Sequence, residues 1–235
     1  MNGNGLAQVA RSHLPACETE STHVGQASER RSGANIFWHA GGVAEHARER
    51  QFGHFPVTFW LTGLSGAGKS TIAFDLERLL RREARPCAVL DGDNMRCGLN
   101  RDLGFSEEDR RENVRRAAEV ARLMNDVGLV VVTSFVSPLR QDRAAAREIV
   151  GAARFVEVHV STPLQVCESR DPKGLYRKAR RGELADFTGV NAPYEPPLAP
   201  ACSLDTARLP EGGGAALLLD YLLQRDRERE DGAMR

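Results

Sequence analysis

No two of the five cysteines form a recognisable pair: Cys17, Cys87, Cys97, Cys167 and Cys202 are odd in number, widely spaced and without a CxxC. Neither a disulfide framework nor a structural zinc site is expected from them, and reduced thiols in a cytosolic protein are the plain reading. The six histidines add no metal-ligand spacing. Long apolar runs are missing as well: stretches such as Gly128–Val132 and Ala215–Leu219 are far too short to span a bilayer. Residues 1–35 are polar and lack the apolar core of a secretory signal, which points to a cytoplasmic location. Net charge is absent too, since Lys+Arg and Asp+Glu are both 32. That balance gives no reason to expect nucleic acid or a membrane surface as a partner. It leaves room for a small anion held by a few local arginines.

What is present is enough for one α/β domain with an appendage, in 235 residues. Residues 1–34, rich in Ser, Gly, Arg and Glu, read as a disordered tail. Ile36, Phe37, Trp38, Phe52 and Phe55 are apolar anchors of a lead-in that packs on the domain. From Val57 onward strand and helix patterns alternate. Strands are expected over 57–62, 87–90, 129–133 and 155–160, with a short one near Ser203 and Leu204. Helices are expected over 69–83, from the Ser106-x-x-Asp109 box to about 125, over 139–150, from Pro163, and within 215–224. Residues 173–200 are polar, basic and then proline-rich, and read as a mobile cover. Residues 227–235 read as a frayed end. Repeated β-then-α units imply a parallel sheet with helices on both faces, and no internal repeat is visible.

The strongest local signal is Gly63-Leu64-Ser65-Gly66-Ala67-Gly68-Lys69-Ser70, followed by Thr71. It fits GxxxxGK[ST] in full and lies between an expected strand and an expected helix. The glycines let the backbone curl so that successive N–H groups and the helix dipole receive a phosphate. Lys69 can then reach the β- and γ-phosphates, and the Ser70 hydroxyl can ligate Mg²⁺. An ATP or GTP site is therefore expected. No NKxD base-reading motif of a GTPase is present, and the apolar strand at 129–133 ends in Thr133 and Ser134 rather than in an acid. A short chain with a late basic segment has the shape of a small-molecule or nucleotide kinase, which must exclude water.

A second cluster, Asp91-Gly92-Asp93-Asn94-Met95-Arg96, directly follows the second expected strand. In an open parallel sheet, strand ends near a switch point form the ligand crevice. Asp93 is placed to take the proton of an attacking hydroxyl and to help hold Mg²⁺ beside Ser70. Arg96 is placed to bind an acceptor anion. Asp91 is read as turn chemistry with its glycine.

With these residues on view, the chain resembles the adenylyl-sulfate kinase family. The resemblance rests on the run from Asp91 to Phe105 and on the segments 110–116, 134–140, 171–180 and 187–195, and it covers about Asn35 to Leu223. It implies a three-layer P-loop NTPase fold with a parallel sheet flanked by helices and a mobile lid, in a domain spanning 35–226. It implies transfer of the γ-phosphate of ATP to the 3′-hydroxyl of adenylyl sulfate, with ATP as co-substrate and Mg²⁺ as cofactor. By the same resemblance Asp93 is the general base, and Arg96, Arg110 and Asn113 hold the acceptor's phosphosulfate and ribose. Phe105 and Phe187 sandwich its adenine, Val136 and Ser137 line its pocket, and Lys173 contacts it from the lid. Bacterial members carry a phosphoserine at the position of Ser137, although Asp93 and the P-loop suffice for direct transfer. A cap on the following helix is the other reading of Ser137. The family is compatible with a homodimer and with association with ATP sulfurylase. Two rivals stay open: a P-loop kinase for another acceptor such as gluconate, shikimate or a nucleotide, and a nucleotide-binding regulatory subunit.

Overall fold

The computed structural model describes His39 and residues 41–233. The tail at 1–34 and the anchors Ile36, Phe37 and Trp38 lie outside them. The chain divides into two units, Met1–Gly41 and Gly42–Arg235, and the architecture below is that of the second. After helix α1 (Glu45–Phe52), strands β1 (Thr58–Thr62), β2 (Cys87–Asp91), β3 (Val130–Ser134), β4 (Phe155–Val160) and β5 (Cys202–Leu204) form one parallel sheet in the order β2-β3-β1-β4-β5. The intervening helices are α2 (Lys69–Arg82), α3 (Gly92–Cys97), α4 (Glu107–Asp126), α5 (Arg140–Val150), α6 (Leu164–Arg170), α7 (Leu175–Arg180) and α8 (Gly213–Ala233).

Every residue of β1 is buried, because the strand is central and helices cover both of its faces. Alternation along the strand sends Phe59 and Leu61 to one core and Trp60 to the other. The first core packs Ile72, Leu76 and Leu80 of α2 and Leu218 and Leu222 of α8 against the sheet. The second packs Ala117, Ala118 and Ala121 of α4 with Ala146 and Val150 of α5, and Trp60 stacks there between Phe135 and Phe155. The small alanine side chains of α4 leave room for the indole.

Three elements differ from the sequence-based expectation. The Asp-Gly-Asp cluster is itself a short helix, α3, because the Asp91 side chain caps it by accepting from the Asp93 and Asn94 N–H groups. The polar cover contains α7, whose Tyr176 and Ala179 are buried, Tyr176 in the first core. Two apolar residues spaced by three are enough to bury one face of a short helix, but they do not stand out in a basic segment. Helix α8 continues through the expected frayed end, to Ala233. Just before that end Asp226 is buried, pairs with Arg85 and accepts from the Phe55 N–H at 3.4 Å, and within it Arg229 lies over the Phe55 ring at 3.6 Å. Charged residues thus carry the packing that a hydrophobic pattern would miss. No helix among the described residues is long and apolar enough to cross a membrane.

Candidate active site

A parallel sheet brings all five strand carboxyl ends to one edge, and the segments that follow β1, β2, β3 and β5 line a cavity of about 770 Å³ there, with Arg170, Pro172, Lys173 and Leu175 closing it beyond α6. That is a large site on the scale of roughly 300–1,000 Å³ usual for small ligands. The glycine-rich loop follows β1. Its carbonyls are gripped from behind. Lys69 Nζ donates to Gly63 O at 2.9 Å and to Leu64 O at 2.7 Å, Tyr176 Oη donates to Ser65 O at 3.0 Å, and Arg170 reaches Gly66 O at 3.3 Å. Ala67 O accepts from Thr162 at 3.0 Å and from Thr206 at 2.9 Å. Helix α2 then starts at Lys69 with no side-chain cap, so its first N–H groups are left for a ligand in the cavity. Burial pushes the Lys69 ammonium down to about 8.

Gly63 is the tightest point of the loop: a Cβ there would sit 2.4 Å from the Val160 carbonyl oxygen. Gly63→Ala is therefore expected to cost on the order of 2 kcal/mol in stability. A clear fall in melting temperature checks this, and an unchanged one would show that the loop can shift away from β4.

The two carboxylates after β2 part company. Asp91 is 7% exposed; besides capping α3, it accepts from Ser70 Oγ at 2.8 Å through Oδ2. Ser70 also meets Ser134 Oγ at 3.1 Å, and Asp91 and Ser134 are partners in the β2–β3 register. Asp93 instead stands out of the helix, 68% exposed, with its carboxylate on the Lys173 ammonium. Asp91 does the local capping expected of an Asp-Gly pair and, beyond that, is the carboxylate that meets Ser70; Asp93, expected beside the cation, bonds Lys173 here. The reason is the capping role, which aims Asp91 back along β2.

On the other side of the cavity, Arg96 of α3 donates to Leu103 O at 3.1 Å and Gly104 O at 2.7 Å. Arg110 of α4 donates to Phe105 O at 2.9 Å and to Asp186 O at 2.8 Å. Both guanidiniums lie over the Phe105 ring, at 4.5 Å and 5.6 Å, and the ring is 62% exposed. Each arginine keeps N–H groups beyond those bonds. Burial lowers both from the ordinary guanidinium value, while leaving them charged at any working pH. Asn113 and Val136 line the same cavity, and so do Ser137 and Lys173. Phe187 does not. It packs edge-on against Tyr176, with centroids 5.0 Å apart, and its N–H donates to Asn191 Oδ1. The expected aromatic sandwich is thus present in one half, with Arg110 tying the Phe187 segment to α4 through Asp186.

Ser137 is buried at φ +36°, and its Oγ accepts from the Trp60 indole at 3.2 Å. It does not cap α5, whose N-cap is Leu139. The Ser137 carbonyl is fixed by Arg143 at 2.8 Å; the same buried guanidinium holds Glu157 at 2.7 Å and the Glu195 carbonyl at 2.7 Å. Arg143, Thr162 and Thr206 were not legible as site residues in the sequence. For the two threonines the usable signal was position, a hydroxyl placed two residues beyond the end of β4 and of β5.

The chain matches the family model described as adenylylsulphate kinase over residues 55–205. It is 50% identical over 200 residues to an adenylyl-sulfate kinase of Pseudomonas entomophila, covering 85% of this chain and 96% of that one. It is 54% identical over 188 residues to an adenylyl-sulfate kinase of Shewanella baltica, covering 80% and 92%. Among solved structures it is similar to the APS kinase CysC of Mycobacterium tuberculosis, solved in complex with AMPPNP and APS. The TM-score is 0.69 and the identity 48%, over 73% of this chain and 99% of that one.

Proposed function

The chain belongs to the adenylylsulphate kinase family, and we infer that it transfers the γ-phosphate of ATP to the 3′-hydroxyl of adenylyl sulfate, giving ADP and 3′-phosphoadenylyl sulfate. ATP is the co-substrate. Its phosphates belong on the Gly63–Thr71 loop and the start of α2, where N–H groups and the Lys69 ammonium supply positive charge. The observation that carries the rest of the reading is the division of labour between the two carboxylates. Asp91 is buried and committed to Ser70 and the α3 cap, whereas Asp93 is exposed at the cavity with its carboxylate on a lysine. Asp93 is the general base for the acceptor hydroxyl, and Lys173 orients it from the α6–α7 loop.

The acceptor lies toward Arg96, Phe105, Arg110 and Asn113. Two guanidiniums suit its two anionic groups, and the exposed Phe105 face suits its purine. Phe187 would complete a sandwich only by leaving Tyr176, so its place in the site is a closing movement of the cover segment.

The oxygen donors at Ser70, Asp91 and Ser134 fit a hard cation such as Mg²⁺, which takes only one or two protein ligands beside substrate phosphates. Ser70 would hold it directly, with Asp91 behind; when bound, it neutralises charge on the phosphates. The chain's own contribution is positioning and charge: the fixed loop aligns the phosphates, and Asp93 holds the proton that leaves the hydroxyl.

A chromatographic assay with ATP and Mg²⁺ tests the acceptor directly. Adenylyl sulfate should be turned over to its 3′-phosphorylated product, while gluconate, shikimate and AMP give none. Turnover on one of those in place of adenylyl sulfate would reject the assignment. A pH prediction follows from Lys69. With its ammonium at about 8, the lysine is charged below that pH and neutral above it. Affinity for an ATP analogue should be flat from pH 6.5 to 7.5 and fall above about 8, by up to about tenfold per pH unit. Calorimetric titration checks this, and a flat profile to pH 9.5 would contradict it.

A further inference from the structure

Asn100 is fully buried and lies outside the cavity lining, yet it touches a residue that lines it. Its Nδ2 donates to Asn113 Oδ1 at 2.8 Å. The Asn100 backbone is pinned in the turn after α3, donating to Met95 O at 2.8 Å and accepting from the Leu103 N–H at 3.1 Å. That turn leads into the Leu103 and Gly104 carbonyls held by Arg96. Asn113 is 6% exposed and follows Arg110 by three residues on α4, so both present to the same side. The remaining Asn100 atom, Oδ1, is buried with no protein partner. A buried acceptor left unpaired is costly, and such a group asks for a reason.

We propose that Asn100 is a positioning residue that sets the polarity of Asn113. By taking the Asn113 carbonyl oxygen it leaves the Asn113 NH₂ group as the donor that faces the acceptor's anionic oxygens. This rests on the reading that Asn113 holds adenylyl sulfate. The amide of Asn113 has one end that donates and one that accepts, and an anionic group accepts only. With nothing to fix it, the amide would turn either end toward the substrate. Asn100 supplies the NH₂ needed to fix it, and its own orphaned oxygen is the cost of using an amide. An aspartate in its place would have nearly the same shape but only acceptors. It would draw the Asn113 NH₂ toward itself and turn the Asn113 oxygen toward the anion.

The test compares Asn100→Asp, Asn100→Ala and Asn113→Ala in the full chain, measuring KM for adenylyl sulfate and for ATP separately. Asn113→Ala should raise KM for adenylyl sulfate about tenfold or more. Asn100→Asp should match it, and Asn100→Ala should give an intermediate rise of about threefold, all with KM for ATP unchanged. The alanine variant adds no buried charge, so it carries the test if the aspartate variant fails to fold. A rise for Asn113→Ala with no change in either foldable Asn100 variant overturns the proposal and leaves the acceptor site intact. No rise for Asn113→Ala overturns the acceptor reading itself, and the proposal with it. A parallel rise in KM for ATP would mark Asn100 as a general structural residue and also overturn it.

Discussion

Asp93→Asn is expected to lower kcat by about three orders of magnitude, within the span of a lost general base, while KM for ATP changes by no more than a few-fold. The substitution keeps shape and removes the charge and the basic oxygen. Asp93 lies on the exposed side of α3, so little stability depends on it, and the fold should hold. ATP contacts should survive because the phosphate loop is fixed by Lys69, Thr162, Thr206 and Tyr176, none of which bonds Asp93. The effect should therefore appear in turnover and not in nucleotide binding. Steady-state kinetics with both substrates varied checks it. A variant within tenfold of normal turnover would remove Asp93 from the chemistry and turn attention to Asp91.

Lys69→Met should reduce kcat/KM for ATP by on the order of a thousandfold, the scale of losing one charged donor at a reacting phosphate. Methionine keeps the length and apolar stem of the side chain. It loses the ammonium that bridges the loop carbonyls of Gly63 and Leu64, so some loss of thermal stability should accompany the change. That stability loss should be modest, because the loop keeps its bonds from Thr162, Thr206 and Tyr176. The pH dependence of ATP affinity above about 8 should vanish in the same variant, since Lys69 is the group that titrates there. A variant retaining more than a tenth of normal kcat/KM, or keeping the alkaline limb, would contradict the role assigned to this lysine.

Much of this was legible in the sequence, for physical reasons that differ from place to place. The phosphate loop could be read because its glycines, lysine and serine must stand at fixed spacing for the backbone to curl, and the structure has α2 beginning at Lys69. Trp60 and Phe59 could be read as a buried strand because a central strand needs apolar residues on both faces. Other features depend on contacts between distant residues and have no local signature. Asp91 looked like half of a turn pair; its use became apparent only when the P-loop brought Ser70, itself bonded to Ser134 of β3, to its carboxylate. Arg143 has no local signature in the sequence of α5, yet it joins β4, the Ser137 turn and Glu195. Helix α7 was hidden because the burial of Tyr176 depends on where the cover segment lies and not on its composition. Phe187 was assigned to the adenine by resemblance, and in this structure it packs on that tyrosine.

The γ-phosphoryl group is expected to pass straight from ATP to the acceptor hydroxyl, with no phosphoenzyme between. Ser137 is the side chain that could interpose, but its hydroxyl is buried and already accepts from Trp60. The most direct test uses ATP whose γ-phosphorus is made chiral with oxygen isotopes, followed by analysis of the configuration in the 3′-phosphorylated product. A single in-line displacement gives inversion, the expected result. Retention would require two displacements and would contradict direct transfer, pointing to a phosphorylated residue on the path.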